Sequence, residues 1–205
     1  MTRDMSNRPY RMKLRAELQE RTRRRITESA LELHGTLGPS RTSISAVAEH
    51  AGVRRSTLYR HFPDEAALFV ACTGHWMEAN PQPELTRWAA IADPDARLRE
   101  GLAELYAYYR RTESMFVNVL RDETTMPIVA RMLAFYRDFL AGAGEAMMVG
   151  RRERGYARRR VRAAIGHALA FATWRSLARE QGLNDAVAAE LMCGLVAAAR
   201  NRRQR

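Results

Sequence analysis

Residues 51–65 read AGVRRSTLYRHFPDE. Arg54, Arg55, Ser56, Thr57, Tyr59, Arg60 and His61 form a run of cations and hydroxyls interrupted only by Leu58. Asp64 and Glu65 then reverse the sign. Helical spacing gives such a segment one thin apolar side, from Val53, Leu58 and Phe62, and a polar side that needs a partner. Just upstream, TSISAVAEH at 42–50 opens on Thr42 and Ser43, either of which suits a helix N-cap. It carries Ile44, Val47 and Ala48, with Ala51 following, on one helical face. The pattern predicts two short helices, over residues 44–50 and about 54–62. They are joined at Gly52, which tolerates the backbone a tight turn requires.

Two short helices crossing at a glycine turn form a helix-turn-helix, here about residues 43–62. The shared core is expected from Val47, Ala48, Val53 and Leu58, supported by Ile26, Ala30 and Phe62. The second helix is then narrow and exposed enough to enter a DNA major groove. Arg54, Arg55 and Ser56, at its N-terminal end, are expected to read base edges. Thr57, Tyr59 and His61 suit phosphate contacts, which position the protein without specifying sequence. Arg60 serves either role. Thr42 or Ser43, beside helix N-terminal amides, offers another phosphate site.

Outward from this motif the chain reads as helical throughout. A first helix is predicted from Leu14 to Leu37, with Ile26, Ala30, Leu33 and Leu37 on one face, stopped by Gly38 and Pro39. A fourth opens at Pro63 and Asp64 and ends at PQP, 81–83. Further helices follow over 93–116, 126–149, 161–180 and 185–200. RRERGYARRR at 151–160 reads as a solvated loop or, alternatively, a site for an acidic ligand or partner. Residues 1–14 read as a flexible basic arm, 15–80 as the DNA-binding head with its connecting fourth helix, and 81–205 as a larger C-terminal domain. The last five residues read as frayed.

Composition agrees with an acidic partner. The formal net charge is +11 and Lys13 is the lone lysine, so arginine carries the excess. A GC-rich genome would also raise arginine. Cys72 and Cys193 lack metal-ligand spacing and read as reduced, buried thiols. No apolar run approaches the ~20 residues of a membrane span, and the first residues lack a signal-peptide core. A cytoplasmic protein without metal, cofactor or membrane partner is expected. No nucleophile elbow, Walker loop or HExxH appears, so no catalytic residue is expected.

The stretch TSISAVAEHAGVRRSTLYRHFPDEAALF, residues 42–69, resembles the DNA-binding signature of the TetR family of transcriptional regulators. The shared elements are the Thr/Ser cap, Val-Ala, Ala-Gly-Val, Thr-Leu-Tyr, His-Phe-Pro and Leu68. With RTRRRITESALELHGTLG before it, the resemblance covers about residues 20–80. It implies an all-α fold: an N-terminal three-helix helix-turn-helix head and a larger helical C-terminal domain for effector binding and dimerisation. It implies a homodimer on a pseudo-palindromic operator of double-stranded DNA, most simply a repressor released by a small molecule. The same segments are also compatible with an effector-independent architectural DNA binder, or an adaptor that kept the fold. Two positions depart from the family. His34 replaces an aromatic residue, with Leu37 expected to take over its packing. Glu65 stands where a lysine usually touches DNA.

In the second half, aromatic residues and methionines are dense. His75, Tyr106, Tyr109, Phe116, Phe135, Phe171 and Trp174 are the expected lining for an apolar or aromatic effector. The last two helices are the expected dimer interface. FATWRSLARE brings Phe171, Trp174, Leu177 and Ala178; DAVAAELMCGLVAAAR brings Val187, Leu191, Gly194, Leu195 and Ala198 at spacings of three and four.

Overall fold

A computed structural model of the chain describes residues 7–200. Residues 1–6 of the expected arm and the expected frayed tail, 201–205, lie outside it. Among the described residues every regular element is helical. Contacts divide the chain into two compact units: the residues up to Asn80 together with Val117–Val129, and Pro81–Phe116 together with the residues from Ala130 on.

In the first unit, α1 is Asn7–Thr36, α2 Ile44–His50, α3 Arg55–His61 and α4 Glu65–Ala79. Helix α1 starts at Asn7 rather than Leu14, so residues 7–14 are helical where an arm was expected. The core is built from Ile26 and Ala30 of α1, Val47 and Ala48 of α2, Leu58 and Phe62 around α3, and Leu68 and Cys72 of α4. Val53 is only partly buried against it. Two residues set the path between helices. Gly38, at φ +98°, ends α1 with its N–H donating to Leu33 O at 3.2 Å. Gly52, at φ +62°, turns the chain from α2 to α3. Both angles lie where a side chain costs energy. Ser43 is the cap of α2, its Oγ accepting from the Ala46 N–H at 3.1 Å.

The end of α1 is held by residues far away in sequence. Asn118 Nδ2 donates to Gly35 O at 2.8 Å and His34 O at 3.2 Å. Arg121 Nη2 donates to Leu37 O at 2.9 Å. Asp122 accepts from the Ser40 N–H at 2.9 Å. The bonds from Asn118 and Arg121 satisfy carbonyls that a helix end leaves without partners, and Asp122 satisfies a backbone N–H. A Cβ on Gly38 would run into Arg121 and Asp122, so that position needs glycine for space as well as angle.

His34 corrects an expectation. It is itself buried, its ring 5.6 Å from that of Phe69, whereas Leu37 is 37% exposed and substitutes for nothing. Burial lowers the His34 pKa to about 4, against the nearby Asp122, which raises it. Cys72 is likewise buried, and its thiol is pushed up to about 12.

The second unit holds α5 Leu85–Ala89, α8 Gly155–Leu169, α9 Phe171–Arg175 and α10 Asp185–Arg200. Two long helices, α6 Pro94–Asp122 and α7 Pro127–Met148, contribute Val117–Val129 to the first unit and their remainder to the second. No helix among the described residues is long and apolar enough to cross a membrane. The predicted helix over 161–180 is broken. Ala170 is extended (ψ 135°), and α9 runs on into a π-helical turn, Ser176–Glu180. The break frees the carbonyls of Ala168 and Leu169, which accept from the hydroxyls of Tyr106 at 2.8 Å and Tyr109 at 2.6 Å.

Helix α10 packs on α8 through Ala188, Ala189, Met192, Val196 and Ala199. Two buried arginines tie other ends together. Arg97 donates to the carbonyls of Trp88, Ile91, Ala92, Ala146 and Val149, at 2.6–3.4 Å. Arg151, expected in a solvated loop, is buried and donates to Met147 O at 2.9 Å, Pro94 O at 3.0 Å and Asp95 Oδ1 at 3.0 Å.

The His34 shift fixes the sign of a pH effect. The folded state binds its proton less tightly than the unfolded chain, whose ordinary value is 6.5. The stability His34 contributes is therefore complete above pH 6.5 and is lost as pH falls towards 4. The total is on the order of 3 kcal/mol. His34→Phe keeps an aromatic ring against Phe69 and removes the titration. Its urea midpoint should fall less than that of the parent between these pH values. Equal falls would show that His34 is not the group responsible.

Candidate nucleic-acid interface and an aromatic cluster

Helix α3 is anchored on one side by Leu58, which is fully buried, and is open on the other. Arg54, the N-cap, has an exposed side chain and makes no side-chain cap. Arg55, Ser56, Tyr59 and Arg60 are exposed; Thr57 and His61 are half-buried. The Arg55 guanidinium lies 6.0 Å from the Tyr59 ring centre, one turn along. Among the described residues, Arg54, Arg55 and Arg60 have no acidic partner. A cationic, hydroxyl-bearing face is therefore available as a unit.

The residues expected to flank it divide. Thr42 Oγ1 donates to Gly38 O at 2.8 Å, so its proton is committed inside the fold. Ser43 accepts from the backbone and keeps its own proton to donate. Asp64 is the N-cap of α4, its Oδ1 accepting from the Ala67 N–H at 2.7 Å. Glu65 follows in the first helical turn, where an acid suits the helix dipole. The acidic end of the 51–65 stretch thus belongs to α4.

One contributor comes from α1. Arg23 of α1 donates to His61 O at 2.8 Å, and its guanidinium stacks 4.3 Å from the centre of the Phe62 ring. It places a cation at the C-terminal end of α3, the favourable end of that dipole. Burial, Arg60 and Arg23 together hold the His61 imidazole below its ordinary value, opposed by Glu20.

The expected effector residues are only partly brought together. Tyr106, Tyr109, Phe116, Phe171 and Trp174 form one cluster. The rings around Tyr109 lie 5.3 Å (Phe171), 5.8 Å (Phe116), 5.9 Å (Trp174) and 6.4 Å (Tyr106) from it. Tyr136, outside the expected set, joins them, its hydroxyl 2.8 Å from that of Tyr109. Phe135 does not: it is 62% exposed, one position away from the inward Tyr136. His75 sits on α4 of the first unit, its Nε2 4.0 Å from Glu28. Tyr108 is fully buried, with Arg111 4.9 Å from its ring centre. Its hydroxyl lies near Gln82 yet makes no hydrogen bond of normal geometry. It is the uncommitted polar atom beside this cluster.

Of the expected dimer residues, Phe171, Trp174 and Ala178 are buried within the second unit. Val187, Leu191 and Leu195 remain 48%, 50% and 41% exposed on α10, with Gly194 and Ala198 exposed on the same helix.

A sequence profile described as bacterial regulatory proteins, tetR family, matches residues 26–72, which span α1 to α4 of this interface. The chain is 28% identical over 110 residues to the HTH-type transcriptional repressor NicS of Pseudomonas putida, covering 54% of this chain and 51% of that protein. It is 44% identical over 57 residues to the HTH-type transcriptional regulator AcrR of Shigella flexneri, covering 28% and 26%. The matches thus span about half and about a quarter of those relatives. Among solved structures, a TetR-like transcriptional regulator from Rhodococcus sp. RHA1 superposes with a TM-score of 0.64 at 16% identity. The match covers 86% of this chain and 93% of that one, and shows the shared all-helical fold.

The lowered pKa of His61 leaves it neutral near pH 7 and without a charge to offer a phosphate. A bound phosphate would favour the imidazolium, so DNA affinity should rise as pH falls below the ordinary histidine value. His61→Gln should flatten that rise. Binding isotherms for one duplex at a series of pH values measure it, and a wild-type slope retained by the variant refutes the assignment.

Proposed function

We propose, for a chain that carries at residues 26–72 the DNA-binding domain of the tetR family of bacterial regulatory proteins, that it is a dimeric transcriptional regulator. The observation that carries this reading is the open face of α3. Among the described residues its arginines, Arg55 and Arg60, with Arg54 at the cap, have no acidic partner, while the apolar anchor Leu58 is completely buried. Arg54, Arg55 and Ser56 read base edges in the major groove. Ser43, Thr57, Tyr59 and His61 hold the phosphates, and Arg60 serves either purpose. Repression results where the operator overlaps a promoter.

Dimerisation uses the α10 stripe of Val187, Leu191 and Leu195, with Gly194 and Ala198 allowing close approach. A two-fold axis beside it pairs each stripe with itself, and the dimer carries two copies of α3 for the two half-sites of a pseudo-palindromic operator. The effector is a small apolar or aromatic molecule bound at the cluster around Tyr109. The hydroxyls of Tyr106 and Tyr109 are committed to Ala168 O and Leu169 O, which leaves Tyr108 to orient it. It releases DNA only by binding the DNA-incompetent state more tightly than the competent one.

Selection of duplexes from random-sequence DNA supplies the test ligand. Tyr59→Phe should weaken every recovered sequence alike, by about 1 kcal/mol. Arg55→Ala should instead relax preference at one base pair, with ~1–3 kcal/mol of discrimination lost there. If no sequence preference emerges from the selection, the regulator reading fails.

Leu191→Arg tests the interface separately. Sedimentation should show a monomer with unchanged helicity, and affinity for the two-half-site duplex should drop by at least about tenfold. A variant that stays dimeric moves the interface elsewhere.

A further inference from the structure

The N-terminal part of α1 is the least explained surface of the first unit. Helix α1 runs unbroken from Asn7 to Thr36, yet Tyr10 to Arg21 are all exposed and burial begins only at Thr22. Twelve residues of regular helix at ~1.5 Å each make a rod of roughly 18 Å that stands exposed beyond the packed part of α1. At ~100° per residue, Tyr10, Leu14 and Leu18 fall in one sector of about 140° together with Arg11, Arg15, Arg21 and Arg25. Glu17 and Glu20 fall outside it. All four arginines are exposed, and among the described residues none of them has an acidic partner. Tyr10, Leu14 and Leu18 are 68%, 44% and 53% exposed.

Like charges argue against a second copy of the same face as its occupant, since pairing would bring eight arginines together. A polyanion is complementary. The position of the rod indicates which one. Arg23, just past its base, is fastened to His61 O and Phe62 at the C-terminal end of α3. The rod therefore leaves the first unit beside the helix assigned to the major groove.

We infer that residues 10–21 of α1 form a second DNA contact, lying along the phosphate backbone outside the base pairs that α3 reads. This rests on the DNA-binding reading of α3. Arg11 and Arg15 neutralise phosphates, and the apolar stripe covers the sugar edges. The rod reaches roughly five base-pair steps, so its contribution appears only when the duplex continues past the operator edge. It carries no sequence preference.

The test compares two duplexes with the same selected core. One ends at the core, and the other continues by about one helical turn (~10 base pairs) of unrelated sequence on each side. The full chain should bind the longer duplex about tenfold or more tightly at low salt. Replacing two exposed cations, Arg11→Gln and Arg15→Gln, should abolish that advantage and leave the short duplex unaffected. On the long duplex it should make the slope of log K against log salt shallower by about 3–4, near 0.9 for each of two phosphate contacts in each of two protomers. Equal affinity of the parent for both duplexes overturns the inference, as does an unchanged slope in the variant. Binding to vesicles of anionic phospholipid that is lost with Leu14→Gln, without any duplex-length effect, assigns the face to a membrane instead. Failure of the α3 reading looks different: Tyr59→Phe then leaves both duplexes unaffected.

Discussion

Helix α3 has seven residues, too few to stay helical in water by its own hydrogen bonds, because nucleation costs more than so short a run returns. It exists because Leu58 and Phe62 are buried completely against Ile26 and Ala30 of α1 and Val47 and Ala48 of α2. The same two anchors leave the rest of α3 facing outward. One packing requirement therefore forms the helix and also selects which side chains a partner meets. The small residues Ala48 and Ala51 matter for the same reason: a larger residue at either would push α3 away and tilt that whole face.

The core of this unit was legible in sequence because its signals are local. A hydroxyl before an apolar run marks α2, a glycine marks the turn, and Pro63 with Asp64 marks α4. Bounds of 44–50 for α2 come from these alone. The illegible part depends on partners distant along the chain. The hold of Asn118, Arg121 and Asp122 on the end of α1 spans more than 80 positions and has no local pattern. It also explains why His34, read as a gap for Leu37 to fill, is a packed aromatic substitute in its own right. The length of α1 was misread because its first half is polar and lacks an inward face, which is how an arm also looks.

In the second unit the misreadings share a cause. Helical periodicity places residues on faces, but cannot say which face turns inward when both carry apolar groups. Phe135 and Tyr136 are neighbours on α7, and the wrong one was expected inside. The interruption at Ala170 has no proline or glycine to announce it. Its carbonyls are satisfied by Tyr106 and Tyr109 some sixty positions earlier, so tertiary contacts, not local propensity, stabilise the break. Those hydroxyl bonds also distinguish tyrosines that support the backbone from Tyr108, which does not. On α10 the two faces differ plainly: Ala188, Ala189, Met192, Val196 and Ala199 are buried, and Val187, Leu191 and Leu195 are exposed.

Arg97 pairs a cation with dipoles instead of with an acid. Its guanidinium is surrounded by main-chain carbonyls from the end of α5 and the end of α7, and every partner is a neutral oxygen. A carboxylate in that place would become a weak point in acid, as at Asp95, where Arg151 and Arg200 hold a group that protonation disarms. Carbonyls do not titrate, and arginine keeps its proton across the whole range in which proteins fold. The joint between these helix ends therefore has no pH at which it switches off, and acid must loosen this unit from other points first.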